Sequence, residues 1–256
     1  MRALVTGAGG RLGAAIADAL GEMGYDVAVH YAGSADGAAE VAARIRGGGR
    51  RAETLQADLL DLDAAEALVP RAARALGGPL TVLVNNASIF EHDDLRSLTR
   101  TSWDRHLVSN LQAPVLLTQA FAAGAPRVEG PGEPVAPGLV VNMIDQRVRK
   151  LTPEFMSYTL AKSALWTFTR TAAQALAPHV RVNAIGPGPT LRGARQSEAH
   201  FAAQRAATVL ERGADPDDIV AALRYLVGAK AVTGQLICVD GGQHLGWRTP
   251  DVQGVE

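Results

Sequence analysis

Tyr158 and Lys162 stand four residues apart in the stretch DQRVRKLTPEFMSYTLAK, 145–162. On a helix that spacing makes them neighbours on one face. The ammonium is expected to stabilise phenolate and lower the tyrosine pKa. A tyrosine so tuned can give a proton to a heteroatom while hydride reaches the adjacent carbon. The lysine is informative because the chain has only Lys150, Lys162 and Lys230 against 22 arginines. A compact ammonium suits sugar hydroxyls better than a guanidinium fork does. Asp145 stands thirteen residues before Tyr158. An ionised carboxylate only accepts hydrogen bonds, whereas a protonated one can donate. It therefore matches a flat nitrogen heterocycle with amino and ring N–H groups, and an ionised one does not match a plain ketone oxygen.

Hydride chemistry needs a dinucleotide, and the segment TGAGGRLG, 6–13, supplies a place for one. Gly7, Gly9, Gly10 and Gly13 let the backbone approach a pyrophosphate, and the following helix offers amide donors and a positive dipole end. Arg11 and Leu12 complete the turn. An arginine beside the positive end of a helix is unfavourable unless it meets an anion. The second strand runs out through His30 and Tyr31 into AGSADG, with no carboxylate before Asp36. An acidic residue there would bind ribose hydroxyls and repel a 2′-phosphate. Arg11 as the partner of that phosphate, with Ser34 as a hydrogen-bond donor, makes NADP the expected cofactor rather than NAD.

The elements that must position these residues alternate along the chain. Strands are expected at 2–6, 26–31, 51–58, 80–87, 139–143, 180–186 and 235–240. Helices are expected at 11–23, 35–47, 62–77, 100–123, up to 177 through Tyr158, 195–207 and 215–227. Alternation of this kind gives a doubly wound parallel sheet of seven strands with helices on both faces, in a single domain over 1–256. Pro114 is expected to kink or break the long helix. The Pro- and Gly-rich run 126–138 is a surface loop.

The chain resembles the short-chain dehydrogenase/reductases over nearly its whole length. The resemblance rests on TGAGGRLG (6–13), AD (57–58), NNAS (85–88), Asn110, YTLAK (158–162), PGPT (187–190) and VTGQLICVDGG (232–242). It implies an NAD(P)-dependent oxidoreductase, commonly a homotetramer. It places Asp58 and Leu59 at the adenine, and Asn86, Ala87 and Ser88 along the cofactor. Asn110 would order a water in a proton relay, and Pro187, Gly188 and Thr190 would approach the nicotinamide. Most members carry serine where this chain has Asp145. Aspartate there, with arginine in the glycine loop, is similar to pteridine reductases and bacterial dihydromonapterin reductases. In those enzymes a phenylalanine after the NNAS-type loop stacks the pterin, and Phe90 matches it. The tail DGGQHLGW, 240–247, makes His244 and Trp247 candidates for the pocket edge.

Three functions remain in view. The first is an NADPH-dependent pteridine-type reductase with Asp145, Tyr158, Lys162 and Asn110 as its catalytic set. The second is a carbonyl or imine reductase of another small substrate. The third is a nucleotide-binding sensor without catalysis, which would tend to lose the tyrosine or lysine that this chain keeps. Formal net charge is −1, so no overall field recruits nucleic acid or an anionic membrane. No apolar run approaches the ~20 residues of a membrane span. With no leader pattern at its start, a cytoplasmic protein is expected. Cys238 is the one cysteine, expected to be a buried, inert thiol.

Overall fold

Short apolar runs rich in Val, Leu and Ile form the strands, which suits a sheet buried on both faces. A computed structural model describes residues 1–130, 132–193 and 196–249. Its strands are β1 (Arg2–Val5), β2 (Asp26–Tyr31), β3 (Ala52–Gln56), β4 (Val82–Asn85), β5 (Gly138–Met143), β6 (Val180–Pro187) and β7 (Leu236–Val239). They pair in the order β3-β2-β1-β4-β5-β6-β7, every pair parallel. The reversal of strand order between β1 and β4 opens the crevice where doubly wound sheets bind ligands.

The helices are α1 (Arg11–Glu22), α2 (Ala35–Gly47), α3 (Leu62–Leu76), α4 (Arg100–Leu107), α5 (Ala113–Gly124), α6 (Met156–Ala175), α7 (Glu198–Ala206) and α8 (Pro216–Gly228), and they flank the sheet except for α7, which buries no residue. One core gathers Ile16 and Leu20 of α1, Val41 of α2, Val5, Val29 and Val141 of the sheet, and Leu223 of α8. The opposite core joins Leu68 of α3, Leu117 and Phe121 of α5, and Leu4, Leu83 and Val140 of the sheet.

The long helix expected over 100–123 is broken, but ahead of Pro114. Residues 108–112 form a π-helical turn, and the Ala113 N–H bonds the Val108 carbonyl five residues back. Pro114 sits in the first turn of α5. It has no N–H for the Asn110 carbonyl, so the α-helical ladder cannot pass through that position. The segment 126–138 is irregular apart from its last residue, which opens β5, and Pro131 lies outside the described residues. The helix expected at 195–207 begins at Glu198, capped by the Ser197 side chain on the His200 N–H. Ala194 and Arg195 lie outside the described residues, as does the tail after Thr249. Cys238 is half-buried on β7 rather than fully buried, and burial pushes its thiol pKa up, which keeps it a poor nucleophile.

Candidate active site

The glycine turn is fixed from below and from the side. The Thr6 hydroxyl accepts from the Asn86 and Ala87 N–H groups at 2.9 and 3.0 Å. The Asn86 amide donates to the Thr6 and Gly7 carbonyls at 2.8 and 3.2 Å. Gly7 has φ +62° and lies against Ala87: a Cβ there would come within 3.0 Å of Ala87 Cα. On Gly13 a Cβ would reach 2.1 Å from the Gly7 carbonyl oxygen, so helix and turn meet only because this position is glycine. On Gly10 it would meet nothing within 4 Å. Helix α1 starts after Gly10 with no side-chain cap and no acidic residue in its first turn. That open, uncapped helix start fits a phosphate group.

His30 does not present its ring to the crevice. It is 1% exposed. Its Nδ1 accepts the Gly7 N–H at 3.0 Å and its Nε2 faces the Ala57 carbonyl at 3.1 Å. Burial holds its pKa down at about 4. The neutral ring therefore carries its proton on Nε2 and ties the glycine turn to the end of β3. Tyr31 and Ser34 stand at the exit of β2, and Ser34 packs against Gly9. Asp58 is turned back on its own loop, accepting the Leu60 N–H at 2.9 Å, and Leu59 is buried beside it.

Arg11 is engaged with the chain that follows β6. It adopts φ +53°, the left-handed region where glycine is at ease. Its guanidinium donates to the Leu191 and Arg192 carbonyls at 3.3 and 3.2 Å. Those residues follow β6, on the far side of β1 from β2 and Ser34. The side chain thus reaches toward the chain after β6 and away from the exit of β2.

At the ends of β5 and α6, Asp145, Tyr158 and Lys162 come together. Asp145 opens a 3₁₀ turn over Gln146–Val148, where its Oδ1 accepts the Arg147 N–H at 2.8 Å. Its Oδ2 accepts the Tyr158 hydroxyl at 3.0 Å. Lys162 Nζ lies 5.7 Å from the centre of the Tyr158 ring and donates to the Met143 carbonyl at 2.8 Å. All three are buried deeply enough to shift their titration. Burial raises the Asp145 pKa against the pull of Arg147, Tyr158 and Lys162. Burial lowers Lys162 to about 8, with Asp145 pulling the other way.

The expected lowering of the tyrosine pKa is overturned. Burial first, then the Asp145 charge and its hydrogen bond, raise Tyr158 well above 10. The carboxylate faces the hydroxyl directly, while the ammonium stands over the ring. Tyr158 is therefore held as a phenol, able to donate a proton.

Asn110 is fully buried, and its side chain clasps the backbone of Ile89 in both directions, at 2.9 and 2.8 Å. Its own carbonyl is the group freed by Pro114. Next along the loop, Phe90 stacks on Phe155 at 4.3 Å between centroids and meets Tyr158 edge-on at 4.7 Å. Ser88 acts on Tyr158 from the same loop, pulling its pKa down.

Across the crevice, a Cβ on Gly188 would fall 2.6 Å from Asp240 Cα, so the chain after Pro187 passes tightly against the tail. Thr190 bonds back to the Gly188 carbonyl at 3.1 Å. His244 is engaged with the Asp240 carboxylate at 2.8 Å, while Trp247 is 60% exposed. The 3₁₀ turn Gln243–Leu245 packs beside the turn that follows Asp145.

A sequence family described as enoyl-(acyl carrier protein) reductase matches residues 7–244. The chain belongs to the short-chain dehydrogenase/reductase family. It is similar to the solved FolM alternative dihydrofolate reductase 1 from Brucella suis in complex with NADP, at 44% identity, TM-score 0.91 and 98% coverage of both chains. An uncharacterised oxidoreductase of Mycobacterium tuberculosis is 37% identical over 94% of this chain and 90% of its own length. The 3-oxoacyl-acyl-carrier-protein reductase FabG of Staphylococcus aureus is 30% identical over 95% and 98%. The chain is thus an oxidoreductase of this family. Among the described residues no helix is long and apolar enough to cross a membrane.

Site features that the sequence did not reveal include Asp93, His106, Phe155 and Ser157. Phe155 precedes α6 in the left-handed region, at φ +55°, and underlies Phe90. Asp93, His106 and Ser157 form a buried hydrogen-bonded chain. No spacing rule pairs residues 51 and 64 positions apart.

Proposed function

We propose that this protein is an NADPH-dependent reductase of the pteridine-reductase type, acting on the ring of a dihydropterin-like heterocycle. The observation that carries the reading is the Tyr158 hydroxyl on the Asp145 carboxylate at 3.0 Å, with Phe90 edge-on to the same tyrosine. Similarity to FolM structures that contain NADP supports both the cofactor and the substrate class. NADPH would lie on Gly7, Gly10 and Gly13, with Asn86, Ala87, Pro187, Gly188 and Thr190 along its length and Lys162 toward its ribose.

When bound, the reduced nicotinamide supplies hydride. The protein's own groups do the rest. Phe90 offers a flat apolar face. Each Asp145 oxygen uses one lone pair inside the protein and retains another to accept from a ring or amino N–H. Tyr158, held as a phenol, gives its proton to the ring nitrogen directly or through one water. Asp145, its pKa raised by burial, shares in that proton. The Lys162 ammonium offsets negative charge left on the Asp145–Tyr158 pair.

A homotetramer in the cytoplasm is part of the same proposal, by family resemblance. Turnover of NADPH with dihydrobiopterin, with 7,8-dihydrofolate and with a small ketone tests the substrate class. Tyr158→Phe should cut kcat by about a hundred-fold or more with little change in KM. Ketone turnover exceeding turnover of every pterin would favour the carbonyl reductase represented by FabG.

A further inference from the structure

Phe90 is held between two clamped peptide groups. On one side Ile89 exchanges two hydrogen bonds with the Asn110 amide. On the other, the Glu91 N–H donates to His106 Nε2 at 3.1 Å. Because Nε2 accepts, the neutral ring carries its proton on Nδ1. That nitrogen then donates to the Ser157 hydroxyl at 2.7 Å. Ser157 Oγ donates in turn to Asp93 Oδ2. His106, Ser157 and Asp93 are all essentially fully buried. Burial also pushes the His106 pKa down, in keeping with a single neutral form.

Asp93 has a second task. Helix α6 begins after Phe155, which supplies no side-chain cap. The Asp93 carbonyl accepts the Met156 N–H at 3.3 Å and its Oδ1 accepts the Ser157 N–H at 3.2 Å. A residue 64 positions away thus caps the helix that carries Tyr158, and its negative charge sits where the helix dipole favours one. The loop bearing Phe90 and the helix bearing Tyr158 are joined through one polar chain, Glu91–His106–Ser157–Asp93.

We infer that His106, Ser157 and Asp93 are positioning residues that set the Phe90 ring at a fixed distance from the Tyr158 hydroxyl, and so seat the substrate ring for protonation. The inference rests on Phe90 and Tyr158 both meeting the substrate, as proposed above. None of the three touches the reacting atoms. Their effect should appear in substrate binding rather than in the chemical step. Removing one partner leaves a buried polar group unsatisfied, which the Phe90 loop can relieve by moving away from α6.

The test uses the full-length protein and the variants Ser157→Ala, Ser157→Thr and His106→Asn. Hydrogen exchange over 87–94, thermal midpoints, NADPH affinity, and kcat and KM for dihydrobiopterin are measured together. Ser157→Ala should speed exchange over 87–94 and raise the dihydropterin KM about ten-fold, with kcat and NADPH affinity within about two-fold. Ser157→Thr keeps the hydroxyl and should recover most of the KM. Should the added methyl prevent folding, His106→Asn carries the decision. It keeps the donor to Ser157 but loses the acceptor for Glu91, so exchange should rise at Glu91 and KM should rise by less. Unchanged exchange and unchanged KM in Ser157→Ala overturn the inference. So does a parallel fall in kcat, NADPH affinity and thermal midpoint, the mark of general destabilisation. A parent enzyme inactive on all pterins overturns the substrate class instead, and exchange over 87–94 then decides the clamp by itself.

Discussion

The Tyr158 hydroxyl donates to Asp145 Oδ2 at 3.0 Å, linking the end of β5 to the first turns of α6. Family members with serine at position 145 would place a second hydroxyl there, which can donate to a ketone oxygen. A half-buried carboxylate replaces that donor with acceptors. Asp145→Ser should therefore lower kcat/KM for dihydrobiopterin by at least about ten-fold, the scale of one lost charge-assisted bond. NADPH affinity should hold within about two-fold, since Asp145 makes no proposed cofactor contact. Activity on small ketones should rise. Pterin reduction equal to the parent's would remove Asp145 as a marker of substrate class.

Arg11 reaches the Leu191 and Arg192 carbonyls. Arg11→Ala should therefore free the chain after Thr190, visible as faster exchange at 189–193. It should weaken NADPH and NADH to similar extents, by less than about ten-fold. A selective loss of NADPH would show that the guanidinium swings back to the 2′-phosphate once the cofactor arrives.

His30 makes the fold acid-sensitive in a defined window. Its pKa falls from 6.5 to about 4 on folding, because burial disfavours the charged ring. Between those values the unfolded chain binds a proton that the folded chain refuses. Stability must then fall as pH drops through that window, by roughly 3 kcal/mol once both forms are protonated. His30→Gln should start from a lower stability but lose less across the same interval. Urea denaturation of both proteins at a series of pH values measures the difference.

Lys162 titrates in the opposite range. Its pKa of about 8 means that the folded site loses its ammonium well before the unfolded chain would. Between about 8 and 10.5 the unfolded chain holds more protons, so this lysine makes stability rise with pH there. Function should move the other way. The kcat/KM for NADPH, which reports the free enzyme, should decline above about pH 8 as the charge disappears. Lys162→Arg, which cannot deprotonate, should abolish that inflection even at reduced activity.

Local signals were the legible ones. β2 and α2 lie at 26–31 and 35–47, where the alternation put them. The i, i+4 pair Tyr158–Lys162 and the glycine turn depend on short-range geometry and were readable for the same reason. Arg11, standing where a glycine is common, does adopt a glycine-like φ. The direction of its side chain depends on a segment 180 residues away and was not readable. The tyrosine pKa failed for a related cause. Spacing showed the ammonium on the neighbouring turn, whereas burial and the facing Asp145 outweigh it. Nor did the sequence show that His30, at a strand end, turns its ring inward to hold the glycine loop.

The π-helical turn at 108–112 has a consequence for how the chain's own periodicity is read. Each α-helical residue rotates the chain by about 100°. On an unbroken helix His106, Asn110, Leu117 and Phe121 would fall within about 60° of one another, as a single stripe. The wider turn absorbs one residue and shifts the phase of everything after it by about 100°. His106 and Asn110 are thereby free to face the Phe90 loop, while Leu117 and Phe121 enter the core with α3. What reads in one dimension as a continuous apolar-polar register is two helices out of phase, each indexed to a different surface.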